Sequence, residues 1–552
     1  MMISKSRFPF FDRFGGVYLD SASTTQKPKE MIDSLCNFYG TENISTGRSM
    51  CGLGSVLQKK LDLSRGYIAK FLGTTEDNLV FTGGATNSLN ILSRGLQHLV
   101  NSGDNVVITE IEHHSNLLVW KKLCDTVGAT LRVIKVDDSG MYNKDDIALK
   151  IDGLTKIVSF SGQSNVLGCI TNFEDITNMS KDFNFISIMD GSQYLSHKVA
   201  SLESLNIDFV VGGAHKIYGP LGLGILYGKD LSLLRDLDVG GGTVSRVDSI
   251  DTSNYYSDNR RYESGTQDIA SIISFGESCK FLMDTNFEEN LRNMKEISNN
   301  LESRLRKIEG LKFVGEVKER NGILSFNIEG VNSLDLAEYL SLNGVCLRQG
   351  HHCCGPLYSR FQLSGAIRLS LGIYSDLQDV EAFMFYLKEA LKKLRSTKQN
   401  TTENNQLSSL KSKYRLEKTD DMPDVDFDKI LGIDEIPTSV KRTNNDYKDD
   451  VLPKEGDIIS AIRTVIDPEL NINLYDLGLI YKISITTDSI IEIEMTMTSP
   501  MCPIADKLPV WVADAIVGLS NVREVEVKVV WDPSWSIDKM SKEAKFELDI
   551  YN

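Results

Sequence analysis

Ile207-Asp208-Phe209-Val210-Val211-Gly212-Gly213-Ala214-His215-Lys216-Ile217 reads as an apolar run that closes on a glycine pair and is followed at once by a lysine. A short run rich in Val, Ile and Phe, bounded by glycines, predicts a buried strand. A lysine just past such a strand is where an enzyme can hold an aldehyde cofactor of the pyridoxal-phosphate (PLP) kind as a Schiff base. A partly desolvated ε-amine sheds its proton more easily and attacks an aldehyde near neutral pH. Lysines of this sort are also common in surface loops, so the rest of the chain has to supply the other parts.

Outward from this strand the pattern repeats. Leu79–Thr82, Asn105–Thr109, Leu131–Val136, Ile157–Phe160 and Ile186–Met189 are further apolar runs. Helix-length segments such as Ser88–Val100 and Asn116–Val127 stand between several of them. Such alternation predicts an α/β domain around a largely parallel sheet. Beyond Glu277 a long amphipathic stretch leads to Asn321–Glu329 and Val345–Arg348, read as strands of a smaller α+β subdomain over about 278–395. Leu377–Leu394 is expected as its last helix. Residues 396–455 are rich in Asn, Ser, Thr, Lys and Asp, and read as a flexible linker. Order resumes near Gly456: Ile458–Val465 and Ile504–Leu519 look helical, while Leu479–Ile485, Ile490–Met497 and Val525–Val530 look like strands. Residues 456–552 therefore form a separate small α+β domain behind a first domain spanning 1–395.

The composition fits this division. A chain of 552 residues, 41% hydrophobic and 25% charged, is long enough for several cores. A formal charge of −16 lacks the basic footprint of a nucleic-acid binder. No apolar stretch approaches membrane-spanning length. The N-terminal segment has no apolar core of a secretory signal. Nine cysteines, odd in number and without framework spacing, predict free thiols in a cytoplasmic setting.

Ligands bind at strand-end loops of a parallel sheet, and the polar outliers of this chain stand there. Gly83-Gly84-Ala85-Thr86 opens a helix whose N–H groups suit a phosphate. Glu112-His113-His114 puts an imidazole after the Asn105–Thr109 strand, able to stack on a ring or carry a proton, or simply to cap a helix. Asp190, in Asp190-Gly191-Ser192-Gln193, is a carboxylate that needs a cationic partner, and a protonated pyridine nitrogen would be one.

These segments, with Tyr18-Leu19-Asp20-Ser21-Ala22, Glu112-His113-His114-Ser115-Asn116, Ser164-Asn165-Val166-Leu167-Gly168, His215-Lys216-Ile217-Tyr218-Gly219-Pro220, Glu263-Ser264-Gly265-Thr266, Arg348-Gln349-Gly350-His351-His352-Cys353 and Arg368-Leu369-Ser370, resemble in order the cysteine desulfurases of the fold-type I PLP enzymes, most closely the Suf-type (group II) subfamily. The likeness covers about residues 15–395. It implies a PLP-dependent transferase fold with a large sheet domain and a small α+β subdomain. It implies Lys216 as the Schiff-base lysine, Asp190 on the pyridine nitrogen, and His113 stacked on the ring as a catalytic group. Gln193 and Asn165 would lie near the phenolic oxygen, with Ala85, Thr86 and His215 at the phosphate. Thr266 would reach the phosphate of a second copy, which makes the protein a homodimer. Arg368 would fork the carboxylate of L-cysteine, with Asn165 and Arg348 beside it. Cys353 would be the nucleophile that takes the sulfur as a persulfide and passes it to an acceptor protein or cluster scaffold. The same likeness leaves room for a selenocysteine lyase.

Two positions depart from the pattern. Gly213 stands where the family has serine, and Ser45-Thr46-Gly47-Arg48-Ser49 replaces a His-Arg-Gly-x-His segment. His351-His352-Cys353-Cys354 is too closely spaced for a zinc site, so no metal site is assigned. Cys354 is either a resolving thiol or a small buried residue.

In the last hundred residues, Asp467-Pro468-Glu469, Asp476-Leu477-Gly478-Leu479, Pro500-Met501-Cys502-Pro503 and Trp531-Asp532-Pro533-Ser534-Trp535 resemble the iron–sulfur assembly factors that include the SufT and PaaD proteins. Cys502 before Pro503 suits a helix start, where a thiol is acidified, so it is a possible iron–sulfur or persulfide ligand. The alternative to an active desulfurase is a platform that only carries or assembles clusters.

Overall fold

The computed structural model describes residues 3–46, 52–198, 201–235, 238–399, 439–444, 447–448, 452–467, 472–497, 507–530, 535 and 539–547. The chain divides into two compact units, Met1–Lys398 and Gln399–Asn552.

The first unit is built on seven strands, β1 (Leu79–Thr82), β2 (Asn105–Thr109), β3 (Thr130–Ile134), β4 (Thr155–Ser161), β5 (Ile186–Asp190), β6 (Phe209–Gly213) and β7 (Gly224–Gly228), in the order β1-β7-β6-β5-β4-β2-β3. β2 to β6 run parallel, while β7 pairs antiparallel with both β6 and β1. The sheet is thus mixed, with one reversed strand in an otherwise parallel set. β2 and β6 are buried along their whole length, as strands covered on both faces must be, and this is why they read as continuous apolar runs.

Helices cover the sheet. Ala85–Gly95 and His114–Val127 follow β1 and β2, and both start at the strand ends. The amphipathic stretch after Glu277 is two helices, Ile269–Asp284 and Phe287–Leu305, because Asn286 takes a left-handed conformation between them (φ 55°) and caps the second helix through Glu289 N–H.

The smaller subdomain is a four-stranded antiparallel sheet in which Ile323–Ile328 and Ala366–Ser370 are central and Arg348–Gly350 lies on an edge. The run expected as one strand over Val345–Arg348 is broken. Val345–Cys346 pairs in parallel with Val17–Tyr18, so the N-terminal segment is bound to the small subdomain, and the next strand begins at Arg348. Arg320, its side chain fully buried, donates to the carbonyls of Leu167, Val314 and Gly315 and so fixes the β4 loop to this subdomain. The final helix is Leu377–Gln399.

The second unit holds a four-stranded sheet in the order Ser439–Thr443, Glu524–Val529, Ile490–Met495, Ile480–Ile485, with the helices Glu455–Ile462 and Leu508–Val517. Ser439–Thr443 lies inside the stretch read as linker. It pairs antiparallel with Glu524–Val529 from Ser439 opposite Lys528 to Thr443 opposite Glu524. Ile491, Ile493, Leu508, Val512, Val525 and Val527 are fully buried and form its core.

Candidate active site

The C-terminal ends of the parallel strands bring the expected groups to one place. Asp190 is the last residue of β5, buried, and its Oδ1 accepts from Ser192 N–H at 3.0 Å. Lys216 ends the short 3-10 turn Ala214–Lys216 that follows β6. It is half-buried, and desolvation pushes its ammonium below the usual lysine range. Asp190 and Cys353 oppose that fall, while Arg368 and Arg348 add to it. Those four side chains therefore act on one amine, although Cys353 and Asp190 are more than 160 residues apart in the chain.

His113 is the N-cap of the helix His114–Val127, and its Nδ1 accepts from Ser115 N–H at 3.1 Å. This bond fixes the ring and leaves the proton of neutral imidazole on Nε2. Burial first, and the Lys216 ammonium second, pull its pKa down to about 4. Thr86 Oγ1 lies 2.8 Å from Ser115 Oγ, which ties the helix after β1 to the helix after β2. The helix Ala85–Gly95 starts at Gly84 (φ 139°) with no side-chain cap, and a Cβ there would meet nothing within 4 Å. The first N–H groups of this helix thus have no side-chain cap, as a phosphate site requires.

His215 lies across Gly213. A Cβ at Gly213 would fall 2.8 Å from His215 Cε1 and 3.0 Å from Nδ1, so the ring fills the space that a serine side chain would need. The departure at Gly213 is thereby matched by the placement of His215. Gln193 donates through Nε2 to the carbonyl of Ala22 at 2.8 Å, and its buried Oε1 has no partner. A buried acceptor left unpaired is costly and marks a site shaped for something further.

Arg368 is 3% exposed. Its Nη1 donates to the Asn165 carbonyl at 3.2 Å, its Nη2 to Ser23 Oγ at 2.8 Å and Asp20 Oδ1 at 3.2 Å, and its buried Nε has no partner. Asn165 Nδ2 in turn donates to the His352 carbonyl at 2.8 Å. Arg348 lies directly opposite Arg368 on the neighbouring strand and donates to Asp20 Oδ2.

His352 and Cys353 both take left-handed backbone conformations (φ 50° and 54°). The Cys353 carbonyl accepts from His114 N–H at 2.8 Å, and the Cys353 side chain faces solvent. Cys354 turns the other way. It is fully buried, donates to the Ile111 carbonyl, and burial drives its thiol far above the usual range. Of the two readings offered for Cys354, the buried residue is the one the structure contains. Adjacent residues thus present one accessible and one inert thiol. Among the described residues no cluster of His, Cys, Asp and Glu is arranged to hold a metal ion.

Thr266 is exposed on the segment before the helix Ile269–Asp284. Cys502 and residues 47–49 lie outside the described residues, as do Glu469 and Trp531, while Asp467 is buried and Trp535 donates to the Leu477 carbonyl at 2.7 Å.

Three groups to which no role was given stand out, two of them, Asp20 and Glu112, within the quoted motifs. Asp20 holds both arginines. Lys27 donates to the His215 carbonyl at 2.8 Å and is lowered by burial to about 7. Glu112, fully buried, accepts from Thr109, Asn116 and both N–H and Oγ of Ser161, and burial raises it to about 7. The signal for Asp20 was present, because a carboxylate closing the apolar run Val17-Tyr18-Leu19 needs a cation as much as Asp190 does.

Four histidines give the fold an acid-sensitive profile. His113, His197 and His215 are depressed to about 4 and His352 to about 3, in every case chiefly by burial. The unfolded chain takes these protons near the ordinary imidazole value of 6.5 and the folded chain refuses them. Their contribution is complete above pH 6.5 and is lost as pH falls toward 4. For the cofactor-free protein we expect His197→Asn to flatten the pH dependence of unfolding free energy across this window by about 1.4 kcal/mol per pH unit, one proton's worth. Denaturant titrations at pH 6.5, 5.5 and 4.5 check it, and an unchanged slope would show that His197 titrates normally.

Comparison with known proteins agrees with this geometry. Residues 17–383 match the family model described as aminotransferase class-V, and residues 455–529 match that of an iron–sulfur cluster assembly protein. A probable cysteine desulfurase of Pseudomonas putida is 34% identical over 386 residues, covering 68% of this chain and 94% of its own. A cysteine desulfurase of Yersinia pseudotuberculosis is 30% identical, with 68% and 94% covered. Among solved structures, a cysteine desulfurase from Escherichia coli superposes with a TM-score of 0.67 at 27% identity, covering 71% of this chain and 98% of its own. The apo cysteine desulfurase from Thermococcus onnurineus gives 0.67 at 28%, with the same coverage. The shared sheet, the strand-end cluster around Lys216 and these likenesses place the chain in the class-V aminotransferase family, among its cysteine desulfurases, with an iron–sulfur cluster assembly domain at its C-terminal end.

Proposed function

We propose that this chain is a PLP-dependent L-cysteine desulfurase that moves sulfur from free cysteine onto Cys353 and feeds it to iron–sulfur cluster assembly, in which its C-terminal domain takes part. The observation that carries the reading is the convergence of Asp190, Arg368 and Cys353 on one half-buried amine, Lys216, while Arg368 keeps a buried, unpartnered Nε. The residues present fit PLP. Gln193 Oε1 is an orphaned buried acceptor, the helix Ala85–Gly95 starts without a side-chain cap, and the buried Asp190 ends its strand.

When bound, PLP supplies a ring that withdraws electrons from the substrate α-carbon. The chain's own groups do the rest. Lys216 would hold the cofactor, Asp190 would keep a proton on the ring nitrogen, and Ala85, Thr86 and His215 would hold the phosphate, with Gln193 and Asn165 toward the phenolic oxygen. His113, fixed by Ser115, would cover the ring and present Nε2–H. Arg368 would bind the L-cysteine carboxylate, with Asn165 and Arg348 alongside. Lys216 Nζ, desolvated and so ready to be neutral, would accept the α-proton. Cys353 Sγ, as thiolate, attacks the substrate sulfur. An S–S bond forms as the substrate C–S bond breaks, and the electron pair left on the carbon skeleton is finally matched by protons, giving alanine and a Cys353 persulfide. Thr266 would reach the phosphate of a second copy in a homodimer, in a cytoplasmic compartment that keeps thiols reduced. The desulfurase part would span 1–395 and the assembly domain 456–552 with the strand Ser439–Thr443.

The test measures alanine from L-cysteine and cluster maturation on a recipient protein. Removal of residues 400–552 should leave alanine formation within about twofold and reduce maturation about tenfold, by loss of local concentration. This cut starts before Ser439, since a cut at 456 would leave a strand without its partner. Cys502→Ser should reproduce much of the loss, as Cys502 is the only thiol beyond residue 354. No alanine from the whole chain would sink the desulfurase reading, and full maturation after the cut would sink the role of the domain.

A further inference from the structure

Residues 20–27 are bonded to both parts of the first unit. On one side the N–H groups of Ser21 and Ala22 donate to Ser370, to its carbonyl at 3.1 Å and to its hydroxyl at 2.9 Å. On the other, the Ala22 carbonyl accepts from Gln193, and the His215 carbonyl accepts from Thr24, Thr25 and Lys27. The turn that carries Lys216 is thereby held against the small subdomain.

The His215 carbonyl belongs to the peptide bond that leads into Lys216. The rest of this turn is tied within the large domain. Ala214 N–H donates to the Leu223 carbonyl at 3.0 Å, and the Ala214 carbonyl accepts from Ile217 N–H at 2.8 Å and Gly219 N–H at 2.9 Å. The His215 carbonyl instead takes Thr25 N–H at 3.0 Å, Thr25 Oγ1 at 3.0 Å, Thr24 Oγ1 at 3.3 Å and Lys27 Nζ at 2.8 Å. A carbonyl oxygen has two lone pairs, so these donors compete for it. The ammonium is the nearest of them and the only charged one, and a charge-assisted bond is roughly twice as strong as a neutral one. Thr25 Oγ1 is in turn fixed from behind, because it accepts from Tyr218 N–H at 2.9 Å.

Lys27 is a costly group to use as a prop. It is half-buried, and among the described residues no carboxylate pairs with it; burial alone acts on its ammonium, and lowers it. A cation withdrawn from water without a counter-ion destabilises the fold, and an apolar side chain of similar length would avoid that penalty. The one thing this cation does is hold the peptide bond before the Schiff-base lysine. We propose that Lys27 is a positioning residue for Lys216: by gripping the His215 carbonyl it fixes the origin of the Lys216 side chain, and so where the amine can stand to react. This rests on the reading of Lys216 as the lysine that holds PLP. A group that reacts from a fixed origin loses rate when the origin is freed, even though its own chemistry is unchanged.

The experiment mixes the cofactor-free full chain with saturating PLP and follows the yellow band, as Lys216 Nζ bonds the aldehyde carbon and the aldehyde oxygen leaves as water. Lys27→Met should lower the limiting first-order rate by about tenfold or more and leave the urea midpoint of the cofactor-free chain unchanged or raised. Lys27→Arg, which keeps a charged donor, should stay within about threefold of the wild-type rate. Lys29→Met changes an exposed neighbour paired with Asp33 and should alter neither quantity. A residue that only supports the fold would show the reverse pattern, a lower midpoint with an unaltered limiting rate. That pattern, or equal slowing by Lys27→Met and Lys27→Arg, would overturn the proposal. Should Lys27→Met not fold, Lys27→Gln takes its place as a neutral donor and should be about fivefold or more slower than Lys27→Arg; equal rates would overturn the proposal as well. A wild-type chain that forms no yellow band would sink the reading of Lys216 and this proposal with it. A normal wild-type band with an equally fast Lys27→Met would count against Lys27 alone.

Discussion

Cys353→Ser should abolish sulfur transfer from L-cysteine, with a fall of about three orders of magnitude or more, because a hydroxyl at neutral pH offers no thiolate equivalent. The variant should still bind PLP and substrate, since none of the groups assigned to them is altered. Cys354→Ser should retain activity within about threefold. Its side chain is fully buried and directed at the Ile111 carbonyl, and serine keeps a donor for that acceptor at a cost of about 1–2 kcal/mol in stability. Intact-protein mass after incubation with cysteine gives the answer directly. The wild-type chain and Cys354→Ser should gain the mass of one sulfur atom and Cys353→Ser should not. The opposite pattern would assign the nucleophile to the wrong neighbour.

Borohydride reduction of the yellow holoenzyme should fix the cofactor to the peptide that contains Lys216, and Lys216→Arg should abolish turnover by about four orders of magnitude. The structure supplies a real competitor in Lys27, another desolvated lysine, depressed to about 7. Lys27 Nζ, however, is committed to the His215 carbonyl at 2.8 Å and lies near the hydroxyls of Thr24 and Thr25. Lys216 is the amine on which Asp190, Arg368 and Cys353 act. Peptide mapping separates the two, and a label on Lys27 would overturn the assignment.

The inner strands of the large sheet were legible because burial on both faces writes itself as an unbroken apolar run. β7 was not. Gly224-Ile225-Leu226-Tyr227-Gly228 is five residues long with glycine at each end, and nothing local announces that it runs against its neighbours. Ser439–Thr443 was hidden for a different reason. As the outer strand it buries Val440 and otherwise carries Ser, Lys, Arg and Thr, which is how an edge strand avoids further pairing and also how a linker looks. In the site, each residue that ends a strand could be found from its cost of burial. The Asp20 bridge could not be assembled in the same way, since Arg348 and Arg368 stand 328 and 348 positions away.

The short segment that carries Cys353 fixes how sulfur can leave. Only residues 351–354 separate the strand ending at Gly350 from the helix starting at Gly355, and five of their backbone groups are already bonded: the His352 carbonyl to Asn165, the Cys353 carbonyl to His114, Cys354 N–H to the His351 carbonyl, and the Cys354 carbonyl to Tyr358 N–H. With its backbone held on both sides, the thiol travels by little more than rotation about its own Cα–Cβ bond. A persulfide there is a cargo on a fixed berth. An acceptor therefore has to bring its own sulfur to within about 3.5 Å of that point, the distance at which a transfer can begin. The choice of recipient is consequently a matter of the surface around the mouth of the site and of how deep a visiting cysteine can reach.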